Sequence, residues 1–234
     1  MSSKTQYVHG ILDRSGSMSG KIQDVIGGFK TNIEEMKKNT EDFDIFVSVK
    51  MFDNEEETLL ESLNIKMLSE EVIEDVMKNY TPRGQTAIRD SLGNSLTYFI
   101  NKYKEEEFKS CIVYMFTDGF ENASKKFSAS EIKSLVSKAE SSNIQVVYIG
   151  ANQDAILNAK KYGISPGLAL NYSETAETVD SAYRALSAVV QRARSGNPLE
   201  FTLLERSASY PADKTEQNNF QFIGNCKPPP IRRS

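Results

Sequence analysis

Apolar positions along the chain change period several times. Tyr7 to Leu12 is a short apolar run rich in β-formers. From Lys21 to Lys38, Ile22, Val25, Ile26, Phe29, Ile33 and Met36 recur at helical spacing. Phe43 to Phe52 alternates as a strand does, and Glu57 to Ile65 reads as a second strand paired to it through the acidic turn DNEEE. Glu70 to Asn79 predicts a short amphipathic helix, TPRGQT at 81–86 a loop, and Ala87 to about Glu105 a helix. CIVYMF (111–116) is a continuous apolar run of the kind buried in parallel sheets. A loop TDGFENAS, a helix from Ser130 to Ser141, a buried strand from Ile144 to Ile149, and helices over Asp154 to Tyr162 and Thr175 to Arg194 follow. The last helix carries Val179, Tyr183, Leu186 and Val190 on one face, which predicts burial against the sheet.

Strands alternating with amphipathic helices predict an α/β fold: a doubly wound, mostly parallel sheet with helices on both faces and one antiparallel edge strand. The expected division is a domain at 1–200 and a C-terminal extension at 201–234, because the pattern after Leu203 turns polar and loses its period. That extension is expected to be partly disordered or to lie over the surface. In such sheets, ligand sites lie beyond the carboxyl ends of the strands. Asp13 follows the first strand and Asp118 follows CIVYMF, so both are expected at one rim, with TPRGQT in reach of it.

Composition narrows the class. The 234 residues are 39% hydrophobic and 26% charged, enough for a real core. A net charge of -4 does not favour nucleic acid or an anionic membrane surface. No apolar run approaches the roughly 20 residues of a membrane span, and MSSKTQYVHG lacks the apolar core of a secretory signal. Of two cysteines, Cys111 sits in an apolar strand and Cys226 in a polar tail, so no disulfide and a cytoplasmic setting are expected. The triplets Asn122-Ala-Ser and Asn171-Tyr-Ser then read as chance matches to a glycosylation signal.

The stretch ILDRSGSMSG (11–20) ends a strand in Asp13, Ser15 and Ser17 at alternating positions of a glycine-bearing turn. Alternation directs three side chains toward one point. Thr86 adds a hydroxyl from another loop and Asp118 a second carboxylate from another strand end. Taken singly, each segment has an ordinary explanation as a turn or cap. Taken together, two carboxylates and three hydroxyls make a hard oxygen set, suited to Mg²⁺, Mn²⁺ or Ca²⁺ and not to zinc or copper.

Asp13-x-Ser15-x-Ser17, Thr86 in Pro-x-Gly-x-Thr, and Asp118 in Thr-Asp-Gly resemble the complete metal-ion-dependent adhesion site of von Willebrand factor type A domains. FTDGFENAS and IGANQDAILNAKKYGI are similar to small stand-alone members from bacteria and viruses, and the likeness spans about residues 5 to 195. The resemblance implies a Rossmann-like fold with Asp13, Ser15, Ser17, Thr86 and Asp118 as metal ligands. Mg²⁺ is then expected first, with Mn²⁺ or Ca²⁺ as alternatives. It also implies a non-enzymatic docking module, in which an Asp or Glu of a partner protein completes the metal's shell. Thr86, on its own loop, is expected to approach the metal without moving the first strand. Arg14, at a variable position of the motif, is expected to guard the mouth or to pair with an acidic partner.

The rival reading is a metal-dependent phosphohydrolase using the same rim. It lacks the paired Asp-x-Asp, since residue 15 is Ser. The single histidine, His9, lies inside the first strand, where a core role outweighs catalysis, and Met18 occupies the centre of Gly16-Ser-Met-Ser-Gly20 where a nucleophile elbow needs Ser. Basic residues such as Lys125, Lys126, Lys160 and Lys161 are interspersed with acids, as on a solvated helix face. No nucleic-acid or membrane partner is expected, and oligomeric state is left open.

Overall fold

The structure is a computed structural model and describes residues 4–38, 40, 42–151 and 155–212. Six strands form one sheet: β1 (Thr5–Asp13), β2 (Asp44–Phe52), β3 (Glu56–Asn64), β4 (Ser110–Thr117), β5 (Ile144–Ala151) and β6 (Ala169–Tyr172). Their order is β3-β2-β1-β4-β5-β6, and every pairing is parallel except β2 with β3. The expected doubly wound sheet with an antiparallel edge is thus observed. The helices are α1 (Ile22–Lys37), α2 (Glu70–Met77), α3 (Ile88–Lys102), α4 (Ala129–Ser141), α5 (Ala155–Lys161), α6 (Ala176–Ser195) and α7 (Leu203–Ser209).

Side-chain alternation along the parallel strands assigns the two faces. His9 of β1 stacks on Phe99 of α3, with ring centroids 3.7 Å apart. Phe116 stacks on Tyr183 of α6 at 4.7 Å, and its β1 partner is Leu12, three residues on from His9. Every residue of β4 is buried, as a central parallel strand covered on both faces requires. On the Phe116 face α1 packs closely on α6, where a Cβ at Gly28 would meet Tyr183 Cδ2 at 2.3 Å. On the other, α3 packs on α4. Val179, Tyr183, Leu186 and Val190 are all buried, as the apolar stripe of α6 predicts.

Two elements differ from the pattern reading. β6 is only four residues, ALNY, too short to establish a period, and it exists because its backbone pairs with β5. α7 forms where periodicity fades. Thr202 and Glu205 make a capping box at its start. Glu205 takes two hydrogen bonds of 2.9 Å from the Arg192 guanidinium, and Arg206 Nη1 donates to Ala169 O at 2.7 Å. Leu203 and Leu204 stay exposed, so polar contacts, not an apolar stripe, fasten this helix to α6 and β6. Asp154 of the predicted 154–162 helix, Cys226 and the KPPPIRRS ending lie outside the described residues.

Candidate metal centre

β1 carries Asp13 to the carboxyl rim of the sheet, where the side chain is fully buried. Its Oδ1 accepts the Ser15 N–H at 2.7 Å, an Asx turn that bends the chain out of the strand. A 3-10 turn over Gly16–Lys21 then leads into α1. The bend sets Ser15 Oγ 3.1 Å from Ser17 Oγ, and Ser17 Oγ donates to Asp118 Oδ1 at 2.6 Å. Asp118 is the first residue after β4. Just before it, the Thr117 hydroxyl donates to Asp13 Oδ2 and accepts the Gly119 N–H at 3.1 Å.

Thr86 reaches the same point from the loop between α2 and α3. It is 3% exposed, and its backbone exchanges hydrogen bonds with Asn122: N–H to Oδ1 at 2.9 Å, and O from N–H at 3.0 Å. A Cβ on Gly119 would lie 2.7 Å from Thr86 Oγ1 and 3.4 Å from Asp13 Oδ2. Glycine is what lets the hydroxyl and the carboxylate converge there. All five residues predicted from sequence therefore meet at one rim.

Two expectations about this rim are corrected. The Thr86 loop is not independent of the turn after β1: Arg83 N–H bonds Arg14 O at 2.6 Å, and Gly16 N–H bonds Gly84 O at 3.2 Å. Gly84, at φ +68°, supplies the left-handed backbone this close approach needs. Arg14 neither guards the mouth nor waits for a partner. It is 2% exposed, with Nη1 2.9 Å from Glu57 and Nε 3.3 Å from Asp53. Asp53 also binds Arg83 Nε at 2.9 Å and takes Ala87 N–H on its backbone oxygen at 3.1 Å. A buried arginine thus ties three loops together.

The pattern reading missed Lys21 and Glu174. The Lys21 ammonium pairs with Asp118 Oδ2 and with Glu174 Oε1, the latter at 2.6 Å. Burial alone would lower the Lys21 pKa, but its bonds to Asp118 and Glu174 outweigh that and hold it above the ordinary value. The only sequence signal was Lys21's place four residues after Ser17, and Glu174 joins from a distant loop after β6. At Asp13, burial pushes the carboxyl up to about 6, against the lowering by Thr117 and Ser15 hydrogen bonds and with a further rise from the Asp118 charge.

The donor set fits a hard divalent cation. It offers oxygen only: two carboxylates and the Ser15 and Ser17 hydroxyls in one hydrogen-bonded run, with the Thr86 hydroxyl close beside Asp13 across Gly119. Among the described residues no group of three or more His, Cys, Asp or Glu could hold a metal. A site that rests on hydroxyls for most of its donors contains no such group. His9 is remote from this rim, enclosed within β1 against α3, so no Ser-His-Asp arrangement forms here. Among the described residues, no helix is long and apolar enough to cross a membrane.

Comparison with curated protein sequences gives no match. Among solved structures, the chain is similar to a von Willebrand factor type A protein from Catenulispora acidiphila (TM-score 0.59, 15% identity, 81% of this chain and 43% of that one). It is also similar to proximal thread matrix protein 1 from the mussel byssus with a zinc-occupied MIDAS motif (0.57, 18%, 82% and 45%). A third likeness is to the manganese-loaded TRAP protein of Plasmodium vivax (0.54, 17%, 74% and 70%). The chain spans less than half the length of the first two. At these identities the likeness establishes the fold. The family model for the von Willebrand factor type A domain matches residues 8–196, and the chain belongs to that family.

Proposed function

We propose that the chain is a non-enzymatic, metal-dependent docking module whose rim site captures an acidic side chain of a partner protein. The observation carrying this reading is the hydrogen-bonded run Asp13–Ser15–Ser17–Asp118 with Thr86 brought alongside by Gly119. Asp13, Ser15, Ser17, Thr86 and Asp118 would hold the ion, with Mg²⁺ first and Mn²⁺ or Ca²⁺ as alternatives. When bound, the ion supplies an open coordination position and positive charge that two carboxylates do not fully neutralise. Neutral hydroxyls leave that charge available to an incoming Asp or Glu. Phe120, 69% exposed and two residues from Asp118, offers the partner an apolar contact beside the metal.

The same site could be read as a phosphohydrolase. The supporting donors for that reading are fewer, because the second carboxylate of an Asp-x-Asp pair is replaced by Ser15. A stand-alone bacterial or viral type, a cytoplasmic setting and the absence of nucleic-acid or membrane partners belong to the same proposal. Cys111, free and buried, accords with a reducing compartment.

The test is calorimetric titration with Mg²⁺ and Mn²⁺, followed by an acetylated Gly-Asp-Gly peptide and its Gly-Asn-Gly counterpart with and without chelator. The expected result is metal-dependent binding of the Asp peptide alone. Turnover of p-nitrophenyl phosphate in the presence of metal would instead favour the phosphohydrolase.

A further inference from the structure

A cleft of about 290 Å³ opens beside the metal rim, between the start of α3, the loop after β4, the start of α4 and the end of α5. Two of its lining residues tie it to the rim: Ile88 is two positions after Thr86, and Phe120 two after Asp118. Two residues span at most about 7 Å. Ile88, Tyr148 and Tyr162 are buried and give the cleft an apolar floor, whereas Phe120 is 69% exposed. Arg89 and Lys161 bring positive charge into the same space.

That charge is not cancelled locally. Glu121, the acid that lines the cleft, accepts the backbone N–H groups of Arg89 at 2.9 Å, Ala123 at 3.1 Å and Ser124 at 2.8 Å, and the Ser124 hydroxyl at 2.7 Å. Its oxygens are thereby committed to closing the loop onto α3. The Arg89 side chain is 28% exposed, with Nη2 donating to Ser124 O at 3.3 Å and lying 3.6 Å from Glu121. Neither contact uses Nη1. Lys161 is exposed, and its ammonium gives one of three donors to Asn158 Oδ1 at 3.1 Å. Lys133 packs alongside, its Cγ 2.8 Å from where a Cβ on Gly163 would lie. In a chain of net charge -4, this is a local reversal of sign.

We infer that this cleft receives a second carboxylate of the docked partner, a Glu about three residues from the acidic side chain at the metal, so that the partner's motif is a short acidic segment. The inference rests on the docking function proposed for the rim and adds what lies next to the metal-bound residue. Arg89 is three positions after Thr86 and Glu121 three after Asp118, a separation of at most about 10 Å. An extended peptide covers that distance in about three residues. A Glu side chain lays its methylenes along Phe120 and turns its carboxylate to Arg89 and Lys161, where charge-assisted hydrogen bonds are available.

The experiment is calorimetry on the full chain with Mg²⁺ and two acetylated peptides, Glu-Gly-Gly-Asp-Gly-Gly-Glu and its Gln-Gly-Gly-Asp-Gly-Gly-Gln counterpart. Glu on both sides makes chain direction immaterial. The expected result is roughly five- to tenfold tighter binding of the Glu peptide. Lys161→Glu should remove that gain, with Lys161→Gln as the second variant should the reversal not melt cooperatively. Lys109→Glu, the same charge change just before β4 and so at the far end of that strand from Asp118, should keep it. Equal affinity of the two peptides, or a gain that Lys109→Glu removes as fully as Lys161→Glu, would overturn the inference and leave the rim reading standing. Tighter binding of an oligothymidylate than of the Glu peptide, lost in Lys161→Glu, would assign the cleft to phosphate chains and overturn it too. Failure of both peptides to bind in a metal-dependent way would overturn the rim reading, and this inference with it.

Discussion

Lowering the pH from 7 to 5 should destabilise the protein through His9, and His9→Gln should remove that loss. The ring is 1% exposed, stacked 3.7 Å from Phe99 and 6.1 Å from Tyr7, with Tyr103 OH on Nε2. Burial, followed by the Lys102 charge, lowers its pKa from 6.5 to about 3. A folded-state pKa below the unfolded one means that the unfolded chain takes up the proton first. The neutral ring's contribution is therefore intact above pH 6.5 and lost progressively as pH falls toward 3. Each pH unit below 6.5 costs about 1.4 kcal/mol, which gives about 2 kcal/mol between pH 7 and 5. Asp13 acts with the opposite sign. Its pKa is raised from 3.8 to about 6, so the folded chain takes up that proton first and acidification from 6 toward 3.8 adds stability. The wild-type curve alone mixes the two effects, but the difference between wild type and His9→Gln isolates the imidazole. Urea unfolding at pH 7, 6 and 5, with constant slope in denaturant, measures it. Identical pH dependence in the two proteins would refute the argument that His9 is enclosed and neutral.

Three further outcomes concern the rim. Asp13→Asn should abolish Mg²⁺ binding in calorimetry while melting stays cooperative, and at pH 7.5 stability should rise by about 1–3 kcal/mol as a buried charge disappears; loss of cooperative melting would give Asp13 a structural role. Lys21→Met frees Asp118 from a charged hydrogen bond and should tighten Mg²⁺ binding roughly tenfold or more; weaker binding would make Lys21 the residue that positions Asp118. Thr86→Ala should weaken Mg²⁺ and Asp-peptide affinity alike, because the 83–87 loop is bonded to the turn after β1. Selective loss of peptide coupling, on the usual scale of about 1–3 kcal/mol, would show instead that the loop moves with the partner.

By itself the sequence determined the order of the elements through β5 and pointed to the five oxygen-bearing residues of the rim. Hydrophobic period is a local property: the stripe from Ile22 to Met36 and the run CIVYMF state what must be buried, and only one kind of layered sheet buries both. Asp13, Ser15, Ser17 and Asp118 were legible for a related reason, since a strand's carboxyl end is a place that chain order alone identifies; Thr86, on a loop between two helices, was legible only through its Pro-x-Gly-x-Thr setting. Contacts between distant segments were not legible, because nothing local encodes them. β6 is a strand only by pairing with β5, and α7 is held by Arg192 and Arg206 despite exposing its leucines. Tertiary structure alone decided that Arg14 is a buried tie to Asp53 and Glu57, that Lys21 and Glu174 enter the site, and that the Thr86 loop is fastened to its neighbour. It alone enclosed His9 with one ring nitrogen on Tyr103 OH and the other buried without a partner, because enclosure is a sum over β1 and α3 that no single stretch of sequence contains.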